Sequence, residues 1–223
     1  MKYAQLPSEV RQAQAISGIT FDNSMAFLHE IQPVTHNQAV LKDKLEQLID
    51  LIFVSDPDER KERLRVVLVH GAEGRGKSYL CSGAVNDVIR AFYNFETKKN
   101  EPQYEKICDK SRFLTHYELD LLDKSCMNPR ADRTQIEQYR KMSSIPFLVI
   151  DEVGRGSWSD YSARNLENIV SKRYSELLPT VLITNKTIPE IVEMFDKATR
   201  DRLFNERTGI AIDMDSMESE SLR

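Results

Sequence analysis

The segment Gly71-Ala-Glu-Gly-Arg-Gly76-Lys77-Ser78 limits what this chain can fold into more than any other stretch of it. It lies between a β-branched apolar run ending at His70 and an amphipathic stretch opening at Lys77, the strand-loop-helix setting that the G-x-x-x-x-G-K-[ST] pattern requires. The spacing has a physical cause. Glycines let successive backbone amides wrap a phosphate chain, and the start of the following helix adds its positive dipole end. Lys77 then reaches the β- and γ-phosphates, and Ser78 offers a hydroxyl to a magnesium ion. The candidate nucleotide contacts are Gly71, Ala72, Glu73, Gly74, Arg75, Gly76, Lys77, Ser78 and the adjoining Tyr79, with ATP and Mg²⁺ as the expected cofactors.

Such a loop belongs at the C-terminal edge of a parallel sheet, and from Arg65 onward short apolar runs alternate with helical stretches as that requires. Strands are expected over Arg65 to His70, Arg112 to His116, Ile145 to Ile150, Thr180 to Thr184 and Gly209 to Asp213. Helices are expected around Lys77 to Phe92, Tyr117 to Lys124, Arg133 to Met142, Tyr161 to Tyr174 and Pro189 to Phe195, the last opened by a Thr187-x-x-Glu190 capping box. Before Arg65 the pattern is helical, with a break at Ser17-Gly18 and a turn at Ser55 to Asp58. Between them Val40, Leu41, Leu45, Leu48, Ile49, Ile52 and Phe53 recur at three- and four-residue steps, which gives a helix with one buried face. The fold class is α/β, a five-stranded parallel sheet flanked by helices.

Two further strand ends carry chemistry. Ile145-Pro-Phe-Leu-Val-Ile150 runs into Asp151 and Glu152, and carboxylates at that point of a parallel sheet lie beside the phosphate loop. Asp151 can hold Mg²⁺ and Glu152 can act as general base on the attacking water. Thr180-Val-Leu-Ile-Thr184 ends in Asn185, whose amide can orient that water or touch the γ-phosphate, although asparagine is also a common turn residue.

The order of these segments, phosphate loop, Leu-Val-Ile-Asp151-Glu152-Val-Gly154, Leu-Ile-Thr-Asn185, then Arg200-Asp-Arg202-Leu, resembles the AAA+ ATPases of the DnaC/IstB group, the bacterial and phage helicase loaders and the ATP-binding helpers of some transposases. The resemblance spans about Phe21 to Ser216. It implies a P-loop AAA+ (ASCE) sheet and an ATPase whose sites lie between subunits of a homo-oligomer. It also implies Arg202 as the arginine finger given to a neighbour, with Arg200 as its backup, and as partners a replicative DNA helicase or a transposase together with single-stranded DNA. The expected organisation is an N-terminal extension over 1–20 with a possible partner-binding helix, an ATPase domain over 21–216, and a polar tail over 217–223. One departure is that Asp215-Ser216 is followed by Met217-Glu218 where the group often has a sensor arginine, which is therefore missing or displaced to Arg223.

Composition narrows the partners. With 31 basic and 35 acidic residues in 223, the net charge of -4 supplies no global attraction to nucleic acid, so any DNA must meet a local patch. The clusters available are Arg60, Lys61, Arg63 and Arg65; Lys98 and Lys99; Arg130, Arg133, Arg140 and Lys141; and Lys172 and Arg173. Most have acids nearby, as a mixed solvated surface would. Trp158 follows the paired acids and could touch DNA or simply pack. Cys81, Cys108 and Cys126, three residues without a C-x-x-C pair, argue against both a disulfide framework and a zinc site. His29, His36, His70 and His116 show no ligand spacing. No apolar run approaches the roughly 20 residues of a membrane span, and Glu9, Arg11, Gln12 and Gln14 interrupt what a signal peptide would keep apolar, so a cytoplasmic protein is expected. A small-molecule kinase would need an arginine-rich lid, for which Arg200 and Arg202 come too late. A nucleotide-gated binding module with little turnover is the other alternative.

Overall fold

A computed structural model describes residues 6–97, 105–127, 132–156 and 158–215. In chain order the elements are α1 (Ser8–Ile16), α2 (His36–Phe53), α3 (Pro57–Lys61), β1 (Val66–His70), α4 (Lys77–Thr97), α5 (Glu105–Cys108), β2 (Ser111–Thr115), α6 (His116–Cys126), α7 (Arg133–Met142), β3 (Phe147–Asp151), α8 (Asp160–Ser175), β4 (Thr180–Thr184), α9 (Ile188–Met194), α10 (Lys197–Leu203) and β5 (Gly209–Asp213). The five strands form one sheet in the order β2-β3-β4-β1-β5, and every neighbouring pair is parallel.

Both faces of this sheet are covered, which is why its central strands read as unbroken apolar runs. Alternation along each strand divides the side chains between two cores. Val67, Val69, Phe147, Val149, Val181 and Ile183 join Val10 and Ala13 of α1, Leu41, Leu45 and Leu48 of α2, and Leu80, Val85 and Val88 of α4. Val66, Leu68, Leu148, Ile150 and Leu182 face the other way, onto Leu119 of α6, Leu166 and Val170 of α8, Ile191 of α9 and Leu203 of α10. Trp158 belongs to this second layer, tilted on His116 with ring centres 5.1 Å apart and edge-on to Phe195 at 5.7 Å, so its ring packs.

Strands β4 and β5 have the expected ends, and the other boundaries move for local reasons. His116 opens α6 instead of closing β2, because Thr115 caps that helix by accepting the Glu118 amide while Glu118 accepts the Thr115 amide. β3 begins at Phe147, after Pro146 has removed a ladder donor and the Ile145 carbonyl has been taken by a side chain. The expected turn at Ser55 to Asp58 contains the start of α3, with Asp56 as its cap and Pro57 in its first turn. Two short helices, α5 and α10, escaped the pattern.

The N-terminal break is built around Gly18. Its φ is +81, and a Cβ there would stand 2.0 Å from the Phe113 carbonyl oxygen, so only glycine fits. The approach lets the Phe113 amide donate to Ser17 O at 2.7 Å along the outer edge of β2. α1 is tied in by buried Gln14, whose amide donates to Ser24 O (2.8 Å) and Asn86 Oδ1 (2.9 Å). The face of α1 carrying Val10, Ala13 and Gln14 is thus committed to the core, which leaves its opposite face for any partner.

The side chain that takes the Ile145 carbonyl is Arg173, and the structure corrects its assignment to a basic surface. Arg173 is 0 % exposed and donates to Met142 O, Ile145 O, Pro179 O and Thr180 Oγ1 at 3.0, 2.7, 2.6 and 2.9 Å. Burial pulls its pKa down to about 9, which leaves it protonated at neutral pH. Arg65, 5 % exposed and stacked over Tyr174, is likewise withdrawn from the DNA candidates. In the same cluster Lys61 pairs with Asp58, Arg63 with Glu59, and Arg60 donates to Leu177 O. Lys98, Lys99 and Arg130 lie outside the described residues. Exchange of Arg173 for methionine keeps the volume but strands three acceptors, Met142 O, Ile145 O and Thr180 Oγ1, while Pro179 O keeps the Leu148 amide at 3.3 Å. Each stranded acceptor costs about 1–3 kcal/mol, and the buried charge that disappears with the guanidinium offsets part of the sum. The net expectation is a loss of about 2–4 kcal/mol, read as a lower urea midpoint at unchanged m.

Candidate functional site

The loop after β1 has positive φ at Gly71 (+131), Gly74 (+77) and Gly76 (+83). At Gly74 nothing stands within 4 Å of the place a Cβ would take, so the left-handed backbone and not crowding calls for glycine. The loop is braced from outside: Gln38 of α2 donates to Arg75 O at 3.2 Å. The Lys77 ammonium, 6 % exposed, folds back onto Gly71 O and Ala72 O, both at 2.6 Å. Burial lowers its pKa, and Asp151, Asp215 and Glu73 pull in the opposite direction.

The Ser78 hydroxyl donates to Asp151 Oδ2 at 2.6 Å. Ser78 stands at the head of α4, in the loop-helix junction that follows β1, and Asp151 ends β3; β4 lies between β1 and β3, so this bond reaches across the sheet. Two hard oxygens side by side suit Mg²⁺, which takes one or two protein oxygens and fills its octahedron with water and phosphate. Among the described residues no group of three His, Cys, Asp or Glu side chains could hold a metal by themselves.

Glu152 has φ +57, a conformation unusual for a residue with a side chain, and its amide donates to Asp151 Oδ1 at 2.6 Å. Its carboxylate is paired with Arg155. Thr184, buried at the end of β4, donates to Val153 O at 2.6 Å and fixes this turn to the sheet. The Asn185 amide contacts Glu73 Oε1 at 3.4 Å. Loop residues Glu73 to Ser78, Tyr79 (46 % exposed), Asp151, Glu152, Arg155, Thr184 and Asn185 line one cleft of about 410 Å³. The structure thus gathers the ends of β1, β3 and β4 as the motifs require. Gly71 and Ala72 stand just behind the cleft as acceptors for Lys77.

Arg202 and Arg200 lie on α10, which opens with Asp196 accepting the Thr199 amide at 2.7 Å. Neither lines the cleft of its own chain. The Arg202 guanidinium stands 5.6 Å from the centre of the Tyr174 ring, and Arg200 Nε is buried without a hydrogen-bond partner. His70 sits at the end of β1 with Nδ1 3.9 Å from Asp213, its pKa lowered by burial. Cys81 and Cys108 are buried thiols, and burial raises the Cys81 pKa well above its usual value.

The motifs did not point to Gln38, Arg155, Thr184 or the anchoring role of Asp215. Asp215 accepts the Ala72 amide at 2.6 Å and Arg75 Nε at 2.7 Å, and these bonds hold its pKa below the usual carboxylate range. Ser216, Met217, Glu218 and Arg223, the positions on which the sensor-arginine expectation falls, lie outside the described residues. Arg155 has a signal in the sequence, since it is a lone cation between Gly154 and Gly156 directly after the paired acids.

The sequence matches no protein-family model and no curated protein. Its fold matches that of solved structures of DnaA, DnaC and DnaI. It superposes on the AMPPCP-bound DnaA from Aquifex aeolicus with a TM-score of 0.61 at 13% identity, over 87% of this chain and 51% of that one. It superposes on the DnaC helicase loader with a TM-score of 0.56 at 15% identity, over 87% of this chain and 99% of that one. For DnaI the values are 0.58 and 18%, over 87% and 93%. The chain therefore spans about half of the DnaA structure and nearly all of the two smaller ones. Among the described residues no helix is long and apolar enough to cross a membrane.

Proposed function

We propose that this protein is an ATP-dependent DNA replication factor of the helicase-loader type, which binds and hydrolyses ATP at subunit interfaces and delivers a replicative helicase to single-stranded DNA. The observation that carries the reading is the 2.6 Å bond between Ser78 and Asp151, because it brings a phosphate loop and an acidic strand end onto one pair of oxygens. Support for the loader assignment comes from the superposition on nearly the full length of the DnaC helicase loader and DnaI chains. Support for the ligands comes from the DnaA neighbours, one bound to AMPPCP and one to AMPPCP and single-stranded DNA.

In this reading the amides of Gly74 to Ser78 and the Lys77 ammonium take the phosphates, Lys77 giving up its loop carbonyls to do so. Ser78 and Asp151 would hold Mg²⁺, which would supply charge neutralisation on the phosphate oxygens. Glu152 accepts the proton of the attacking water, Asn185 orients that water, and Arg202 of a neighbouring copy meets the γ-phosphate. The ATPase domain spans 21–216, with 1–20 as a possible partner-binding extension and 217–223 as a tail.

The test begins with binding of a fluorescent ATP analogue to Lys77→Ala. Loss of a charge-assisted contact is expected to weaken affinity about ten- to a hundredfold while the circular dichroism spectrum is unchanged. Unchanged affinity would remove the phosphate loop from the argument. Turnover of the wild-type chain is then followed with and without single-stranded DNA. Stimulation by DNA, with a binding slope against log salt of about -0.7 per phosphate neutralised, is the loader result. A phosphorylated small-molecule product would point to a kinase instead.

A further inference from the structure

We propose that Arg155 is a γ-phosphate ligand supplied from within the same chain, and that Glu152 is its partner only while no triphosphate is bound. The inference rests on the nucleotide reading above. Arg155 Nη1 donates to Glu152 Oε1, and its side chain borders the cleft that also holds Lys77, Ser78 and Asp151. It borders, too, an adjoining cleft of about 300 Å³ toward Lys186 and Glu190, so the guanidinium stands on the ridge between the two spaces.

Three observations favour that guanidinium as a group that can change partners. The other cations of the phosphate cleft are held elsewhere, Lys77 by two carbonyls of its own loop and Arg75 by Asp215 just beyond β5. The Arg155 side chain is 64% exposed, and an exposed ion pair is weak and cheaply broken. Arg155 also stands between Gly154 and Gly156, with φ of +78 and +79; a Cβ at Gly154 would meet Met194 Cε at 2.5 Å, whereas nothing lies within 4 Å of the place a Cβ would take at Gly156, so the room for movement lies on the Gly156 side.

A γ-phosphate outbids a single carboxylate for such a group. It concentrates more negative charge, and its oxygens match the planar fork of a guanidinium with two parallel hydrogen bonds. The exchange has a chemical consequence for Glu152. A carboxylate engaged by a guanidinium has lone pairs committed, whereas a general base needs one free for the water. Arrival of the third phosphate draws Arg155 away and leaves Glu152 open; with ADP the pair re-forms. Arg155 is in this way both a ligand that distinguishes ATP from ADP and the residue that withholds the base until ATP is present.

The experiment measures equilibrium affinities of fluorescent AMPPCP and fluorescent ADP, with Mg²⁺, for the wild type, Arg155→Ala, Arg155→Lys, Glu152→Gln and the Arg155→Ala/Glu152→Gln double variant. Arg155→Ala is expected to lose about ten- to a hundredfold in AMPPCP affinity, the range of a hydrogen bond to a charged group, and less than about twofold for ADP, which also serves as the check on folding. Arg155→Lys should retain part of the difference, since it keeps the charge without the fork. Glu152→Gln removes the competing carboxylate and should tighten AMPPCP several-fold, an effect that vanishes when Arg155 is already alanine; this non-additivity is the signature of the exchange. An AMPPCP-to-ADP ratio in Arg155→Ala equal to that of the wild type would overturn the proposal. So would tightening by Glu152→Gln that persists without the arginine. If the wild-type chain binds neither nucleotide, the nucleotide reading itself falls and the assignment of Arg155 with it.

Discussion

Arg202→Ala is expected to bind ATP as the wild type does and to hydrolyse it about 10³ to 10⁵ times more slowly. A guanidinium that meets charge developing on the transferred phosphoryl group lowers the barrier far more than it strengthens ground-state binding. Arg202 lines no part of its own chain's cleft, so any such service goes to another copy. The competing explanation is that Arg202 only packs on Tyr174. A half-buried contact of that kind is worth about 0.5–2 kcal/mol of stability and predicts near-normal turnover. Mixing the variants separates the two. Lys77→Ala subunits carry an intact Arg202 beside a disabled site, and Arg202→Ala subunits carry the reverse, so co-assembled mixtures should recover part of the ATPase activity. A mixture as inactive as its components, with co-assembly shown by sedimentation, would rule out a shared site.

Glu152→Gln is expected to reduce turnover by about 10² to 10⁴ with ATP binding retained, because the amide keeps the shape of the carboxylate and loses its basicity. Slow hydrolysis should trap the ATP-bound assembly, so the variant should sediment as a larger species in ATP than the wild type does in ADP. Equal sedimentation would separate nucleotide binding from assembly. Wild-type turnover in the variant would mean that another group activates the water.

How far the sequence led depends on whether a signal was local. β4 could be read to the residue because both its faces are covered and nothing in it competes for the backbone. At β2 the cap signal Thr115-x-x-Glu118 competes with the hydrophobic run, and the run alone places the strand one residue late. The phosphate loop and Asp151 could be placed because each follows a buried strand. Asp215 is bonded to Ala72 across 143 positions, a contact no spacing rule can anticipate. Arg173 is the instructive miss. Beside Lys172 it looked like half of a basic pair, yet it stands four residues after Ile169 and seven after Leu166, on the buried stripe of α8. Helical periodicity outweighed charge, and the carbonyls at the starts of β3 and β4 made that affordable.

The contact at Gly18 bears on how copies of this molecule can meet. An outermost parallel strand such as β2 presents a row of unpaired amides and carbonyls, a template on which a strand from another chain can be added. Here the Phe113 amide is already satisfied by Ser17 O, and the bend at Gly18 lays the preceding chain along that border. The protein thus closes one margin of its sheet with its own N-terminal segment, a guard against domain swapping and fibril-like stacking. Loss of that segment would leave the Phe113 amide on β2 open to pairing with another chain.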